Sequence, residues 1–306
     1  MAAHRHYRPN HIALRRLLER ERELGGAWRL KIAAKIVISR IPFSTKLRHR
    51  LGVFRHGYMN QLDYASGVLE KHLQAAGIEG KVAGWKILEL GPGDGVLTAL
   101  LVASRGASAT LVDVGEFASR DVEDYKQLAL NMRKKGWSCP DFSGAREIAE
   151  MLRVCSADYL TNGLKSVRGI TGESIDFAFS HAVLEHIRRR EFRALMAELF
   201  RVLRRGAFCS HVVDLADHLG GALNNLRFSE HVWESDFMVN SGFYTNRIRC
   251  NEMLQQMQDA GFQIETVTKN YWPELPTHPN SMSAQFRHME SEELRIRGFH
   301  VVCKKT

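Results

Sequence analysis

At 306 residues, 44% hydrophobic and 25% charged, the chain has the composition of an ordinary globular protein, which excludes a disordered, collagen-like or low-complexity polymer. Its five cysteines, Cys139, Cys155, Cys209, Cys250 and Cys303, are odd in number and form no C-x-x-C pair, so a disulfide framework or cysteine zinc site is excluded and a reducing, cytoplasmic setting is expected. Residues 1–56 hold fourteen Arg or Lys against Glu19, Glu21 and Glu23, a surplus of eleven, while the whole chain carries +9; the remainder is about −2, which excludes a uniformly basic nucleic-acid binder.

The start, MAAHRHYRPN, is followed by no apolar segment, and Lys35 and Arg40 interrupt the run from Ile32 to Ile41, so neither a signal peptide nor a membrane span is expected. From Ile12 to Ile41 the spacing is helical, with Leu14, Leu17, Leu18, Leu24, Trp28 and Ile32 apolar among arginines, up to Pro42. A second helix is predicted from Asp63 to Ala76, ended by Gly77. These helices make residues 1–84 a basic N-terminal extension. Its amphipathic part suits either a cover on the active site or peripheral contact with an anionic membrane face.

After Gly84 short apolar runs alternate with amphipathic helices, the signature of a doubly wound α/β domain over residues 85–306. Strands are predicted at Lys86–Leu90, Ala109–Val112, Leu152–Cys155, Ile175–Phe179, Phe208–Val213 and Gln263–Thr268. The last run, Gly298–Cys303, leaves little room for a crossover helix before it and reads as an antiparallel partner. Helices are predicted at Val96–Ser104, Asp121–Lys134, Arg189–Leu203 and Asn251–Ala260, and residues 215–249 interrupt the alternation as a lid insertion.

The sharpest motif is Lys86-Ile-Leu-Glu-Leu-Gly-Pro-Gly-Asp-Gly95, a strand running into alternating glycines and an apolar helix. Gly91 and Gly93 fit a close backbone approach to a ligand, and Gly95 opens the helix. A dinucleotide fingerprint would place its third glycine where Val96 stands. Asp113, twenty-two residues after Gly91, closes the second strand, where a carboxylate can accept both hydroxyls of a ribose.

On these residues, with Glu89 two positions before Gly91, the chain resembles the class I S-adenosylmethionine-dependent methyltransferases over residues 86–306. The resemblance implies a seven-stranded, mostly parallel sheet with an antiparallel last strand and S-adenosylmethionine as cofactor. It also implies that the turn Ala157-Asp158-Tyr159 faces the adenine, with Asp158 accepting from its amino group, and that Ser180 and the V-L-E-H stretch ending in His186 lie beside the cofactor. Bland roles stand beside these: Glu89 as a helix cap, Asp158 as an N-cap, His186 as a residue satisfied by a backbone carbonyl.

For the acceptor, His181 after the fourth strand and His211, Asp214, Asp217 and His218 after the fifth are the candidates, at the strand ends where doubly wound folds bind ligands. Three readings stay open for them: a His-Asp pair that removes a proton, polar loop residues, or a divalent metal site. No N-P-P-[YF] stretch follows the fourth strand, unlike in adenine and glutamine N-methylating relatives. The insertion mixes aromatics, amides and arginines in Leu223–Trp233 and Ser241–Arg247, which suits a lid over a sugar or another small polar acceptor. The arrangement is similar to bacterial methyltransferases of polysaccharide and secondary-metabolite pathways. The expected activity is O-methylation of a glycan or small molecule, with RNA or protein methylation through the basic arm as the alternative and a non-catalytic cofactor-binding subunit as a third.

Overall fold

The computed structural model describes residues 59–79 and 81–306, so the helix expected at residues 12–41 lies outside the described residues. The first helix, α1 (Leu62–Ala75), buries Leu62, Ala65, Val68, Leu69, His72 and Leu73 along one stripe. Gly77 ends it at φ +69°. Although it belongs to the stretch assigned to the N-terminal extension, α1 packs into the same core as the sheet.

The elements then run β1 (Lys86–Leu90), α2 (Leu97–Ala103), β2 (Ser108–Val112), α3 (Val122–Lys134), α4 (Ile148–Val154), β3 (Ala157–Leu160), α5 (Leu164–Gly169), β4 (Ile175–His181), α6 (Arg189–Val202), β5 (Leu203–Asp214), α7 (Cys250–Asp259), β6 (Phe262–Tyr271) and β7 (Ile296–Lys305). The sheet order is β3-β2-β1-β4-β5-β7-β6. The pairs among β1 to β5 are parallel, and β7 runs antiparallel to both β5 and β6. The expected seven-stranded topology with an antiparallel last strand is therefore present.

Helices cover both faces. α1 to α4 bury Ile87, Leu111, Phe177 and Phe179 on one side, and α5 to α7 bury Leu88, Ala178, Val301 and Cys303 on the other. Because both faces are covered, β1 reads as a nearly continuous apolar run. The strand order reverses between β1 and β4, which opens the crevice at their carboxyl ends.

Two parts differ from the sequence reading. Leu152–Cys155 is helix, not strand: Met151, Leu152 and Cys155 face the core from α4 and its end, while Val154 is exposed. The third strand follows it as the edge strand β3, whose polar Asp158 and half-buried Tyr159 gave no apolar signal. The second difference lies between β6 and β7, where residues 272–295 form a further packed segment. Its Met282, Phe286 and Leu294 share a core with Leu223 and Leu226 of the insertion after β5. Among the described residues, no helix is long and apolar enough to cross a membrane.

Candidate functional site

The glycine loop sits at the mouth of this crevice. Gly91 and Gly93 take φ of +69° and +65°, a conformation that strains any residue with a Cβ. A Cβ on Gly91 would also collide with both γ-methyls of Val183, so the glycine loop and the turn after β4 are pressed together. At Gly95 a Cβ would stand 3.2 Å from the backbone of Asn60 and the carbonyl of Met59. That glycine therefore admits the segment leading into α1 as well as opening α2.

Two carboxylates flank the loop. Asp113 follows β2 with Oδ2 accepting from the Gly93 amide at 3.2 Å and Oδ1 from the Val114 amide at 2.7 Å, and burial lifts its pKa to about 6 despite those bonds. Glu89 is buried in β1, its Oε2 lacks a hydrogen-bond partner, and burial drives its carboxyl up to about 8. An orphaned buried carboxyl, a free-running glycine turn and an acid at the next strand end fit a ligand with a cationic group and a ribose. Tyr159 braces the same region: its hydroxyl donates to the Gly115 carbonyl and accepts from the Phe117 amide, each at 3.2 Å.

Asp158 does not stand in a turn. It lies within β3, paired with Thr110 and exposed, ahead of the carboxyl end of the strand; the turn that meets the crevice is Thr161-Asn162-Gly163, where the Gly163 amide donates to the Asp113 carbonyl at 2.8 Å. The turn expected at Asp158 is therefore strand, because the strand begins two residues after the place where the sequence pattern ended it.

On the acceptor side the predicted residues separate into groups. His211 is not beyond β5 but three residues before its end, 1% exposed, on the face covered by α5 to α7. Its Nδ1 pairs with the hydroxyl of the fully buried Ser180 at 2.8 Å, its Nε2 is buried without a partner, and burial lowers its pKa to about 3. The structure thus places His211 inside β5 and pairs it with Ser180 on that face, not beyond the strand where the sequence pattern put it. Asp214 ends β5; its carboxylate accepts from the Ala216 amide at 2.9 Å and its own amide donates to Glu185 at 3.3 Å. Asp217 is a loop organiser, accepting from the amides of Leu219, Ala222 and Asn224.

His218 joins His186: their Nε2 atoms are 3.2 Å apart and the rings stack at 4.9 Å. The Nδ1–H of His186 donates to the Tyr244 carbonyl at 2.8 Å, the backbone partner anticipated for it, so its Nε2 is the acceptor toward the Nε2–H of His218. The insertion is fastened here. Asn246 donates to the carbonyls of Leu184 and Ile187 at 2.8 and 2.9 Å and its amide donates to the Glu185 carbonyl at 2.7 Å. Trp233, Phe243 and Tyr244, which suited stacking on a sugar, are instead buried in the core of the insertion itself. Among the described residues no three His, Cys, Asp or Glu side chains are grouped to hold a metal ion.

His181, half-buried at the end of β4, belongs to a cluster that sequence reasoning missed. Its Nδ1 lies 3.3 Å from Nε2 of His72, and its ring meets Tyr64 edge-on. His72 is fully buried; a histidine on the apolar stripe of α1 was the one available signal. Glu185, buried with an unpartnered Oε2 and driven by burial to about 8, was passed over as part of a motif.

The sequence profile described as a methyltransferase domain matches residues 40–267. No curated protein matches the chain. Among solved structures it is similar to an S-adenosylmethionine-dependent methyltransferase from Methanosarcina mazei, with 18% identity, a TM-score of 0.40 and coverage of 72% of this chain and 92% of that one. A second, from Mesorhizobium loti, shows 16% identity and a TM-score of 0.44 over 80% of this chain and all of that one. Phosphoethanolamine N-methyltransferase 2 from Haemonchus contortus, solved with S-adenosyl-L-methionine, shows 14% identity and a TM-score of 0.39 over 73% of this chain and 49% of that one. Matched over most of its length and carrying the glycine loop and its acids at the topological switch point, the chain belongs to the methyltransferase domain family, as a class I S-adenosylmethionine-dependent enzyme.

Proposed function

We propose that the enzyme methylates a hydroxyl of a sugar or another small polar acceptor, held between the glycine loop, the turn after β4 and the insertion after β5. The observation that carries this reading is His181. It stands at the carboxyl end of β4, one residue before Ala182, which is held at φ +55°, and two before Val183, which touches the glycine loop. Burial lowers its pKa to about 4, so the ring is neutral at pH 7 and keeps one nitrogen lone pair, though it holds a proton less readily than an ordinary imidazole.

Glu89, the Gly91–Gly93 backbone and Asp113 would hold the cofactor, with Tyr159 bracing the loop after β2. S-adenosylmethionine supplies, when bound, an electrophilic methyl carbon on a cationic sulfur. What this chain adds is position: the turns after β1 and β4 are in van der Waals contact, so an acceptor seated beside Val183 is held next to the cofactor crevice. A hydroxyl also loses its proton as it attacks, and the neutral ring of His181 is placed to take it; as a weak base its contribution lies at the lower end of the usual range, about 10²-fold. His186, just after Val183, carries the contact between the β4 turn and the insertion through His218 and the Tyr244 carbonyl. Because Trp233, Phe243 and Tyr244 are buried, support for a glycan comes from hydroxyl chemistry and not from stacking on them.

The basic arm, a surplus of eleven charges in residues 1–56, favours a second reading in which the acceptor is RNA or protein. The same arm is proposed to make peripheral contact with an anionic membrane if the acceptor is small. Transfer of labelled methyl from S-adenosylmethionine to a panel of glycans, small alcohols, RNA and protein tests the proposal. Labelling of a hydroxylated small acceptor, lost in His181→Phe, is expected; label confined to RNA or protein, or full activity in His181→Phe, would overturn it.

A further inference from the structure

The register of β4, β5 and β7 gathers polar residues on the sheet face beneath α1. Phe179 pairs with Ser210, His181 with Val212, and Val212 with His300, so His181, Ser210 and His300 point to one side. His72 descends onto them from α1. The contacts form a line: His181 Nδ1 to His72 Nε2 at 3.3 Å, His72 Nδ1 to Ser210 Oγ at 2.8 Å, and Ser210 Oγ to His300 Nε2 at 2.8 Å. The two middle members are 0% exposed, whereas His181 and His300 at the ends are half-buried.

We propose that this line is a proton relay, which takes the acceptor's proton at His181 and delivers one to solvent at His300; it rests on the hydroxyl-acceptor reading above. A neutral imidazole donates from one nitrogen and accepts at the other, and a serine hydroxyl does both. Two proton arrangements satisfy every link with the Ser210 hydroxyl both accepting and donating inside the line; if both neighbouring rings donated to it, the line would be broken there. In the first, Nδ1–H of His181 donates to His72, Nδ1–H of His72 donates to Ser210, and the Ser210 hydroxyl donates to His300, leaving Nε2 of His181 with a lone pair. The second is its reverse, with the proton on Nε2 of all three rings.

Uptake converts one into the other. The acceptor's proton binds Nε2 of His181, the Nδ1 proton of His181 passes to Nε2 of His72, and the Nδ1 proton of His72 passes to Ser210. The hydroxyl proton of Ser210 passes to Nε2 of His300, and the Nδ1 proton of His300 leaves to water. One proton enters, one departs, and no ring ends charged. Exchange with water through the two ends restores the first arrangement.

The surroundings oppose a resident charge. Burial first, and then the neighbouring histidines and Lys71, lower His72 to about 2, and burial with Lys71 lowers His181 and His300 to about 4. The groups facing the line are Lys71 and Tyr64 from α1, while His211 acts on His72 through the sheet from its other face. A proton accepted at one end is therefore unstable on any ring and moves on. The pair His211–Ser180 on the opposite face makes the contrast: its chain stops at a buried, unpartnered Nε2 and leads nowhere.

The test uses the full chain labelled with ¹⁵N-histidine, at pH 7, without cofactor or acceptor. All three rings are expected to share one tautomer, all Nδ1–H or all Nε2–H. The N–H of His72, although wholly buried, is expected to exchange with solvent at least about tenfold faster than in Ser210→Ala, where the tautomer of His300 no longer follows the others. Ser210→Thr keeps the hydroxyl and is expected to behave as the parent, and unfolding curves confirm that both variants are folded. A fixed mixture of tautomers in the parent, or His72 exchange unchanged in folded Ser210→Ala, would overturn the relay. Failure to methylate hydroxyls would leave these signals as expected, so the two failures are distinguishable.

Discussion

Glu89 shows how one buried side chain couples cofactor binding to pH. With its pKa near 8 it is protonated at pH 7, since burial disfavours the carboxylate and nothing cationic offsets it. A sulfonium or ammonium placed beside it reverses that balance and expels the proton. Binding of S-adenosylmethionine is therefore expected to release protons at pH 7 and to tighten as pH rises from 6 toward 8. Calorimetry in buffers of different ionisation enthalpy reads the number released; no release in the parent, or the same release in Glu89→Gln, would sink this assignment. Asp113, near 6, titrates below that window and contributes mostly at its acidic edge.

Between elements, the contact of the glycine loop with the turn after β4 is the tightest part of the site. Gly91→Ala adds both a strained positive φ and a collision with Val183, and is expected to cost about 1–3 kcal/mol of stability. Val183→Ala in the same chain removes the methyls that are hit, so the double variant should recover part of the loss. Denaturant midpoints decide: if the double variant loses as much as the sum of the two single variants, the collision is not the cause. Most of the sheet was legible because β1, β2, β4 and β5 are apolar runs punctuated by glycine, and the cofactor acids lie at fixed distances along them. The edge strand β3 was not, since an edge needs one apolar partner face and Asp158 breaks its run. Nor was the relay, because His72, Ser210 and His300 come together only through the register of three strands and a helix. His211 was misplaced for a simpler reason: it lies inside the apolar run Phe208–Val213, and β5 ends at Asp214, three residues beyond it.

At the scale of the whole molecule, buried titratable groups set opposite pH limits. His72 and His211 refuse the proton that the unfolded chain accepts below pH 6.5, so their burial withdraws stability as pH falls from 6.5. For His72 the loss between pH 6.5 and 5 is about 2 kcal/mol. Glu89 and Glu185 act the other way. Their folded pKa near 8 lies above the unfolded value of 4.5, so their contribution is complete below 4.5 and is lost as pH rises to 8. Four histidines outweigh the acids below 6.5, and only the acids titrate above it, which places the stability maximum of the cofactor-free enzyme near pH 6.5. Denaturation at pH 5, 6.5 and 8 checks this; a profile still rising at pH 8 would contradict it.

The claim beneath all of these is that the crevice at the ends of β1 and β2 binds S-adenosylmethionine through the glycine loop and Asp113. Calorimetric titration of the parent and of Asp113→Ala with S-adenosylmethionine, and of the parent with NAD, measures it most directly. The account predicts that the parent binds S-adenosylmethionine and not NAD, and that Asp113→Ala, still folded, binds it more weakly by about 1–3 kcal/mol, roughly 5- to 150-fold. Unchanged affinity in Asp113→Ala, or binding of NAD in place of S-adenosylmethionine, would contradict it.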